Sequence, residues 1–328
     1  MKSKKPIILF FCIILLCTQV LMSQNKQSIS LMVHWFPQAQ FAGYIVAYEK
    51  GFYNEVEIDA TILFSDGTDS PLQEVLDKRI EFCTGWLSQT IKLRSENKPI
   101  LNICQLLQKS SLMLVAKKES GIETTQDFED KIVSNWGGDF SIQPIAFFQK
   151  QNIHPEVIPQ SFRIDGFLVG AIDVTSAMYY NEYHKILQAG IDEDELVRFF
   201  FTDYDLNFPE DGIYCREETL QNEPEMCKDF IDATIKGWAY AFQHKEETLD
   251  IVMKYCRKYH MQTNRSHQRW MLNAIETAMT YQVGDDPKHW GILKKDDYHT
   301  VAEELLNQKL ITTIPSYNDF YKDVAHER

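Results

Sequence analysis

Residues 34–53 read HWFPQAQFAGYIVAYEKGFY, and the way this stretch divides decides the fold. Residues 29–33, just before it, form an apolar run of strand length, and residues 56–64 form a second one after it. Between them, residues 38–50 carry helical spacing, with Ala42, Gly43 and Ala47 small enough for close approach to a sheet. Gly51 then ends the helix, since glycine accepts the left-handed conformation that closes a last turn. Strand, helix and strand in this order predict a βαβ unit with parallel strands. Ahead of the helix stand Trp35 and Phe36. Pro37 begins the helix, and Gln38 and Gln40 place two amides near its N-terminus.

The rhythm continues downstream. Residues 72–78 and 88–97 read as helices, and residues 81–85, 100–105 and 112–116 as strands. The polar run KKESGIETTQDFEDK, residues 117–131, reads as a crossing and a boundary. Strands at 132–134, 156–159, 174–178 and 197–202 then alternate with helices at 142–152, 165–169 and 182–189. From residue 223 to residue 308 the periodicity is almost all helical. These patterns predict an α/β protein with two Rossmann-like lobes, the second inserted into the first, and a helical C-terminal region. The first lobe takes residues 24–117 and 212–328, the latter including the C-terminal helices, and the second takes residues 118–211. Ligands of open α/β sheets bind in the crevice at the carboxyl ends of the strands, so a cleft between the lobes is the expected site.

Lys2, Lys4 and Lys5 precede an apolar segment, residues 6–17, too short to span a bilayer. This predicts an export signal cut near Ser23 and a secreted, periplasmic protein. Leu16 stands where a lipoprotein signal needs a small residue before Cys17, which argues against a lipid anchor. Removing the three signal lysines from the 33 basic residues leaves 30 against 47 acidic ones, a net charge of −17. Nucleic acid is excluded as a partner, because it would be repelled over distance. Of the seven cysteines, Cys83, Cys104, Cys215, Cys227 and Cys256 follow the signal. They are widely spaced and odd in number, so they form neither a disulfide framework nor a metal site, and buried thiols are expected.

Four stretches fall just after predicted strands. In the first, Trp35 offers a flat face, with Gln38 and Gln40 at its rim. In the second, FSDGTDSP, Ser70 and Pro71 cap the next helix, and Asp66, Gly67 and Thr68 form a turn able to face a ligand. In the third, NWGGDFSIQP, Trp136 supplies an aromatic face, and Gly137, Gly138 and Asp139 allow close backbone approach. The segment EFCTGWLSQ adds Trp86, which could line the cleft or tuck beneath the sheet. In the fourth, AMYYNEYH, Tyr179, Tyr180 and Asn181 lead to Glu182. A carboxylate among aromatic rings needs donors, and an aminopyrimidine supplies two in parallel, an exocyclic amine and a protonated ring nitrogen. Glu182 would equally suit an exposed acid at a helix start. No constellation for catalysis is present: GxSxG, P-loop and HExxH are absent, and no nucleophile, base and orienter fall together. No cofactor is called for.

The motifs HWFPQAQFAGYIVAYEKGFY, the DGT loop, WGGDF, MYYNE and GWAYA (residues 237–241) resemble the SsuA/THI5-like (NMT1/THI5-like) family of periplasmic substrate-binding proteins for thiamine pyrimidine precursors. The resemblance runs from about residue 31 to residue 243. It implies a type II periplasmic-binding-protein fold that closes on a 4-amino-5-substituted pyrimidine, with Trp35 as the stacking aromatic and Glu182 as the cleft acid. It also implies an ABC transporter permease as partner and a monomeric, non-enzymatic binding protein. The residues ahead of the first helix then form one wall of the cleft. The yeast-type pyrimidine synthases share this domain, but their cysteine-rich iron motif is missing. EFCTGWLSQ also carries no lysine or histidine where their cofactor and donor histidine lie. A second reading is a ligand sensor serving a membrane kinase or cyclase.

Overall fold

The computed structural model describes residues 26–161 and 163–326. The expected signal segment and its cut at Ser23 lie outside the described residues. Among the described residues, no helix is long and apolar enough to cross a membrane.

The chain first lays down β1 (Gln27–Val33), β2 (Ile58–Phe64), β3 (Phe82–Gly85) and β4 (Ile100–Gln105). It then builds β5 (Leu112–Lys117), β6 (Ile132–Asn135), β7 (Glu156–Pro159), β8 (Val174–Met178) and β9 (Leu196–Phe200), and returns through β10 (Gly212–Arg216). Two five-stranded sheets result, ordered β2-β1-β3-β10-β4 and β7-β6-β8-β5-β9. In each, three parallel strands are joined by an antiparallel fourth that arrives from the other lobe, β10 in the first sheet and β5 in the second. The burial patterns follow from position. Edge strand β2 alternates buried and exposed residues near its start, while the inner strands β3 and β8 are buried throughout; β4, the opposite edge, is buried too, bridged at Asn102 by Tyr321 and at Gln105 by Gly291. The inner strand β5 accordingly reads as a continuous apolar run.

Strand β5 is a correction to the sequence reading, which kept residues 112–116 in the first lobe. Its full ladder with β8 and β9 places it in the second sheet. The polarity of residues 117–131 instead reflects an exposed surface connection of two short 3-10 turns, Lys118–Ser120 and Thr125–Phe128. The chain crosses between lobes at residues 106–111 and 201–211. The two crossings are bound to each other and to the end of β4: Ser110 N donates to Asn207 Oδ1 at 2.9 Å, Asn207 Nδ2 to the Gln108 carbonyl at 2.9 Å, and Gln105 Nε2 to the Glu210 carbonyl at 2.6 Å.

The stretch that opens the fold forms a 3-10 turn, Ala39–Phe41, and then the helix Ala42–Glu49, with Gly51 left-handed at φ 75° just beyond it. Its small residues face a helix rather than the sheet. A Cβ on Gly43 would meet the Trp238 ring at 2.2 Å, and one on Gly237 would meet the Gly43 carbonyl at 2.3 Å. The partner is Pro224–Gln243, the first long helix of the C-terminal third. Two later helices reach across the lobes. Arg265–Thr280 is fixed to the first lobe where Ala39 N donates to Gln268 Oε1 at 2.6 Å. Lys295–Asn307 packs on Leu87–Ser95 of the first lobe and on Ile142–Gln151 of the second. Among the described residues, all five cysteines are buried and free.

Candidate ligand-binding site

The residues following β1, β3, β6 and β8 meet along one seam between the lobes. Trp86 of the first lobe stands edge-on to Phe140 of the second, with ring centres 4.7 Å apart. Phe140 in turn meets Trp136 at 5.8 Å, and His34 stands 6.3 Å from Trp86. Lys92 and Asp139 form a 2.9 Å ion pair across the same seam. The indole N–H of Trp136 is buried without a hydrogen-bond partner.

His34 joins this aromatic group to a buried polar chain. Gln38 Nε2 donates to Gln40 Oε1 at 2.6 Å, and Gln40 Nε2 donates to Asp211 Oδ2 at 2.8 Å. His34 places Nδ1 2.7 Å from Thr84 Oγ1 and Nε2 3.3 Å from Asp211 Oδ1. That last approach lacks hydrogen-bond alignment, so Asp211 Oδ1 keeps no hydrogen-bond partner. Burial lowers the His34 pKa, with Asp211 opposing it, and burial raises that of Asp211, with His34 and the Gln40 bond drawing it back. The neighbouring Glu210 Oε1 accepts from Ser111 N at 2.7 Å, Ser110 Oγ at 3.1 Å and Leu112 N at 3.2 Å, while Oε2 has no partner. Burial, with Asp211 adding to it, pushes the Glu210 carboxyl up to about 8.

Glu182 is 6 % exposed, so the reading of an exposed helix-start acid does not hold. Its Oε1 accepts from Asn181 Nδ2 at 2.6 Å and lies 3.6 Å from Lys185 Nζ; its Oε2 accepts from Met178 N at 3.2 Å. Burial raises its pKa, opposed first by Lys185. Tyr180 is buried: burial raises its hydroxyl pKa, and the charges of Glu210, Asp211 and Glu182 push it further. Three buried carboxyl groups therefore act on one tyrosine. Such a setting favours a ligand rich in donors or carrying positive charge, and disfavours an anion.

Other candidates fall elsewhere. Tyr179 stacks on Tyr183 at 5.4 Å and packs against Phe200 and Trp270, away from the other seam aromatics. Trp35 lies over Gly67, whose Cβ would come within 2.6 Å of the ring, so the first two loops support each other. Asp66 and Thr68 are exposed and bonded together, Thr68 N donating to Asp66 Oδ1 at 2.9 Å. Gly137 and Gly138 are exposed, with nothing within 4 Å of an added Cβ. Sequence reasoning missed His34, Thr84, Phe140, Glu210 and Asp211. The run Pro209-Glu-Asp-Gly212 before β10 was the available signal, since paired acids ahead of a buried strand are unusual.

Two sheets of this order, joined by paired crossings and meeting along a seam of strand ends, define the type II periplasmic-binding-protein fold. The sequence profile described as NMT1/THI5 like matches residues 38–248, and the chain belongs to that family. A formylaminopyrimidine-binding protein of Halalkalibacterium halodurans is 21 % identical over 77 % of this chain and 79 % of its own. A 4-amino-5-hydroxymethyl-2-methylpyrimidine phosphate synthase of Legionella pneumophila is 26 % identical over 70 % of this chain and 74 % of its own. The crystal structure of the periplasmic aliphatic sulphonate binding protein SsuA from Escherichia coli shares the fold with a TM-score of 0.70, at 10 % identity over 92 % of this chain and 94 % of that one.

Proposed function

We propose that this protein is the periplasmic solute-binding component of an ABC importer, handing a small aromatic ligand of the aminopyrimidine type to a membrane permease. The observation that carries the reading is the buried Glu182 carboxyl, which together with buried Glu210 and Asp211 acts on the buried Tyr180. An aminopyrimidine presents an amine and a protonatable ring nitrogen to such acceptors and a flat face to Trp86 or Trp136. The formylaminopyrimidine-binding relative supports the same ligand class. An aliphatic sulphonate, the ligand type named for the Escherichia coli structure, would bring an anion to the buried Glu182 and Asp211 carboxyls.

The synthase relative raises an enzymatic reading. Against it, residues 81–89 hold neither lysine nor histidine, and Lys92, further along helix Leu87–Ser95, is engaged with Asp139 at 2.9 Å. We read the protein as a monomeric binder without catalysis. Calorimetry against 4-amino-5-hydroxymethyl-2-methylpyrimidine, its formylamino analogue, riboflavin and ethanesulfonate tests the proposal. Saturable binding of an aminopyrimidine with none for the sulfonate is expected; the reverse order overturns it.

A further inference from the structure

Glu182 does not stand alone in the seam. Its Oε1 accepts from Asn181 Nδ2 at 2.6 Å, and Asn181 Oδ1 lies 3.1 Å from His267 Nε2. His267 Nδ1 in turn lies 2.9 Å from His184 Nδ1. The chemistry of these atoms fixes the direction of every bond. Asn181 spends its N–H on the carboxylate, so its oxygen is an acceptor and His267 Nε2 must carry a proton. His267 is buried, and burial first, then the charges of His184 and Lys185, lower its pKa to about 4. The ring is neutral at ordinary pH, its Nδ1 is therefore an acceptor, and His184 must donate from Nδ1. A single ordered chain thus runs from His184 through His267 and Asn181 to Glu182.

This chain joins the two halves of the molecule. His184 and Asn181 both belong to the second lobe, Asn181 just before helix Glu182–Gln188 and His184 within it. His267 sits on helix Arg265–Thr280, one residue before the Gln268 that holds Ala39 of the first lobe. The His184 ring stacks on Trp270 of that same helix at 4.8 Å and 11°, which holds its Nδ1 edge toward His267. Trp270 Nε1 also donates to the Tyr179 carbonyl at 2.9 Å, so Asn181 is framed from both sides.

We propose that His267 is a positioning residue of the binding site. Through Asn181 it fixes the Glu182 carboxylate for the ligand, and through His184 it makes that alignment depend on the closed arrangement of the lobes. The proposal rests on Glu182 being a ligand acceptor, and its ligand-free consequence is independent of that reading. The acceptor-only Glu182 carboxylate selects the N–H side of the amide, and an Nε2–H on His267 at the other side holds the amide in that one orientation. An ordered acceptor then loses less freedom when the ligand arrives.

Two measurements on the intact protein decide it. Long-range proton–nitrogen NMR of the imidazole rings at pH 7, without ligand, should show His267 protonated on Nε2 only and His184 on Nδ1, the minor tautomer of a free imidazole. Either ring in the other tautomer overturns the chain. Calorimetry then uses 4-amino-5-hydroxymethyl-2-methylpyrimidine as probe. His267→Leu should weaken it about tenfold, as loss of a hydrogen bond acting on a charged group implies. His267→Gln, whose amide can donate to Asn181 and accept from His184, should recover most of that loss. Asn181→Ala should match His267→Leu, and the double variant should be no weaker than Asn181→Ala alone, because the two act in series. Additive losses, or a Gln variant as weak as Leu at an unchanged melting temperature, overturn the positioning role. If the wild type does not bind the probe, the ligand class fails, and the ring tautomers still decide the chain.

Discussion

Glu182 and Glu210 are both buried acids, and their bonding separates their roles. Glu182 is held at both oxygens by donors beside an ammonium group, which favours a carboxylate able to accept more. Replacing it with Gln keeps the shape and turns one acceptor into a donor facing a donor, so aminopyrimidine affinity should fall roughly 30-fold or more. The exposed Glu193→Gln should bind as wild type; calorimetry on the pair checks this, and an unaffected Glu182→Gln removes the acid from the site. Glu210 accepts three bonds on one oxygen and none on the other, with a pKa near 8. It is protonated in the folded protein and ionised in the unfolded one between its ordinary value of 4.5 and about 8. The folded state thus binds the extra proton, so its contribution to stability is complete below the unfolded pKa. That contribution is lost as pH rises through the folded one, by about 1.4 kcal/mol per pH unit at most. Urea unfolding from pH 5 to 8.5 should show this downward slope, and Glu210→Gln should flatten it; identical slopes would place the proton elsewhere. Glu182 was legible because it follows a strand amid tyrosines. Glu210 and Asp211 were not, because their burial depends on two crossings that meet only in the folded chain.

The helix Ala42–Glu49 shows what an element discloses and what it withholds. Its Ala and Gly residues announce that something approaches closely. The partner, Gly237 and Trp238, lies nearly two hundred residues downstream, and no local pattern names it. For the same reason, the apolar run of β5 revealed a strand but not its sheet. The close crossing is testable. An added Cβ at Gly237 would meet backbone at 2.3 Å and the Ala47 side chain at 2.6 Å, neither of which can swing aside. Gly237→Ala should therefore destabilise the fold by about 2 kcal/mol or more. Gly137→Ala, with open space around it and φ −78°, should stay within about 0.5 kcal/mol of wild type. Chemical denaturation of both variants checks the difference; equal stabilities would mean that the two helices can part without penalty.

At the scale of the whole molecule, the restart of the βα rhythm made two lobes readable in the sequence, while the place of the hinge was not. The polar run at residues 117–131 drew attention away from residues 106–111 and 201–211, where the lobes are in fact joined. Beyond those crossings, contacts across the seam are made through side chains, among them Trp86 with Phe140, Lys92 with Asp139, His267 with His184 and Asn181, Trp270 with the Tyr179 carbonyl, and Gln308 with the Ile142 carbonyl. None is part of a sheet ladder, so a rotation about the crossings can separate them without unfolding either core. Their weights differ. The Lys92–Asp139 pair is partly exposed and contributes well under about 1 kcal/mol, whereas parting Trp86 from Phe140 exposes two rings. Closure should therefore depend on the aromatic contact and on ligand more than on the ion pair. Spin labels at Asp59→Cys and Glu156→Cys, both exposed and on the outer strands of opposite sheets, report the separation. The native thiols do not compete, because all five are buried and burial raises the pKa of Cys83 and Cys104. Saturating aminopyrimidine should collapse a broad distance distribution to its short end. Phe140→Ala should lengthen the ligand-free distances, and Asp139→Asn should leave them nearly unchanged. A distribution indifferent to ligand in the wild type would mean that the lobes form one rigid body and that the ligand enters by another route.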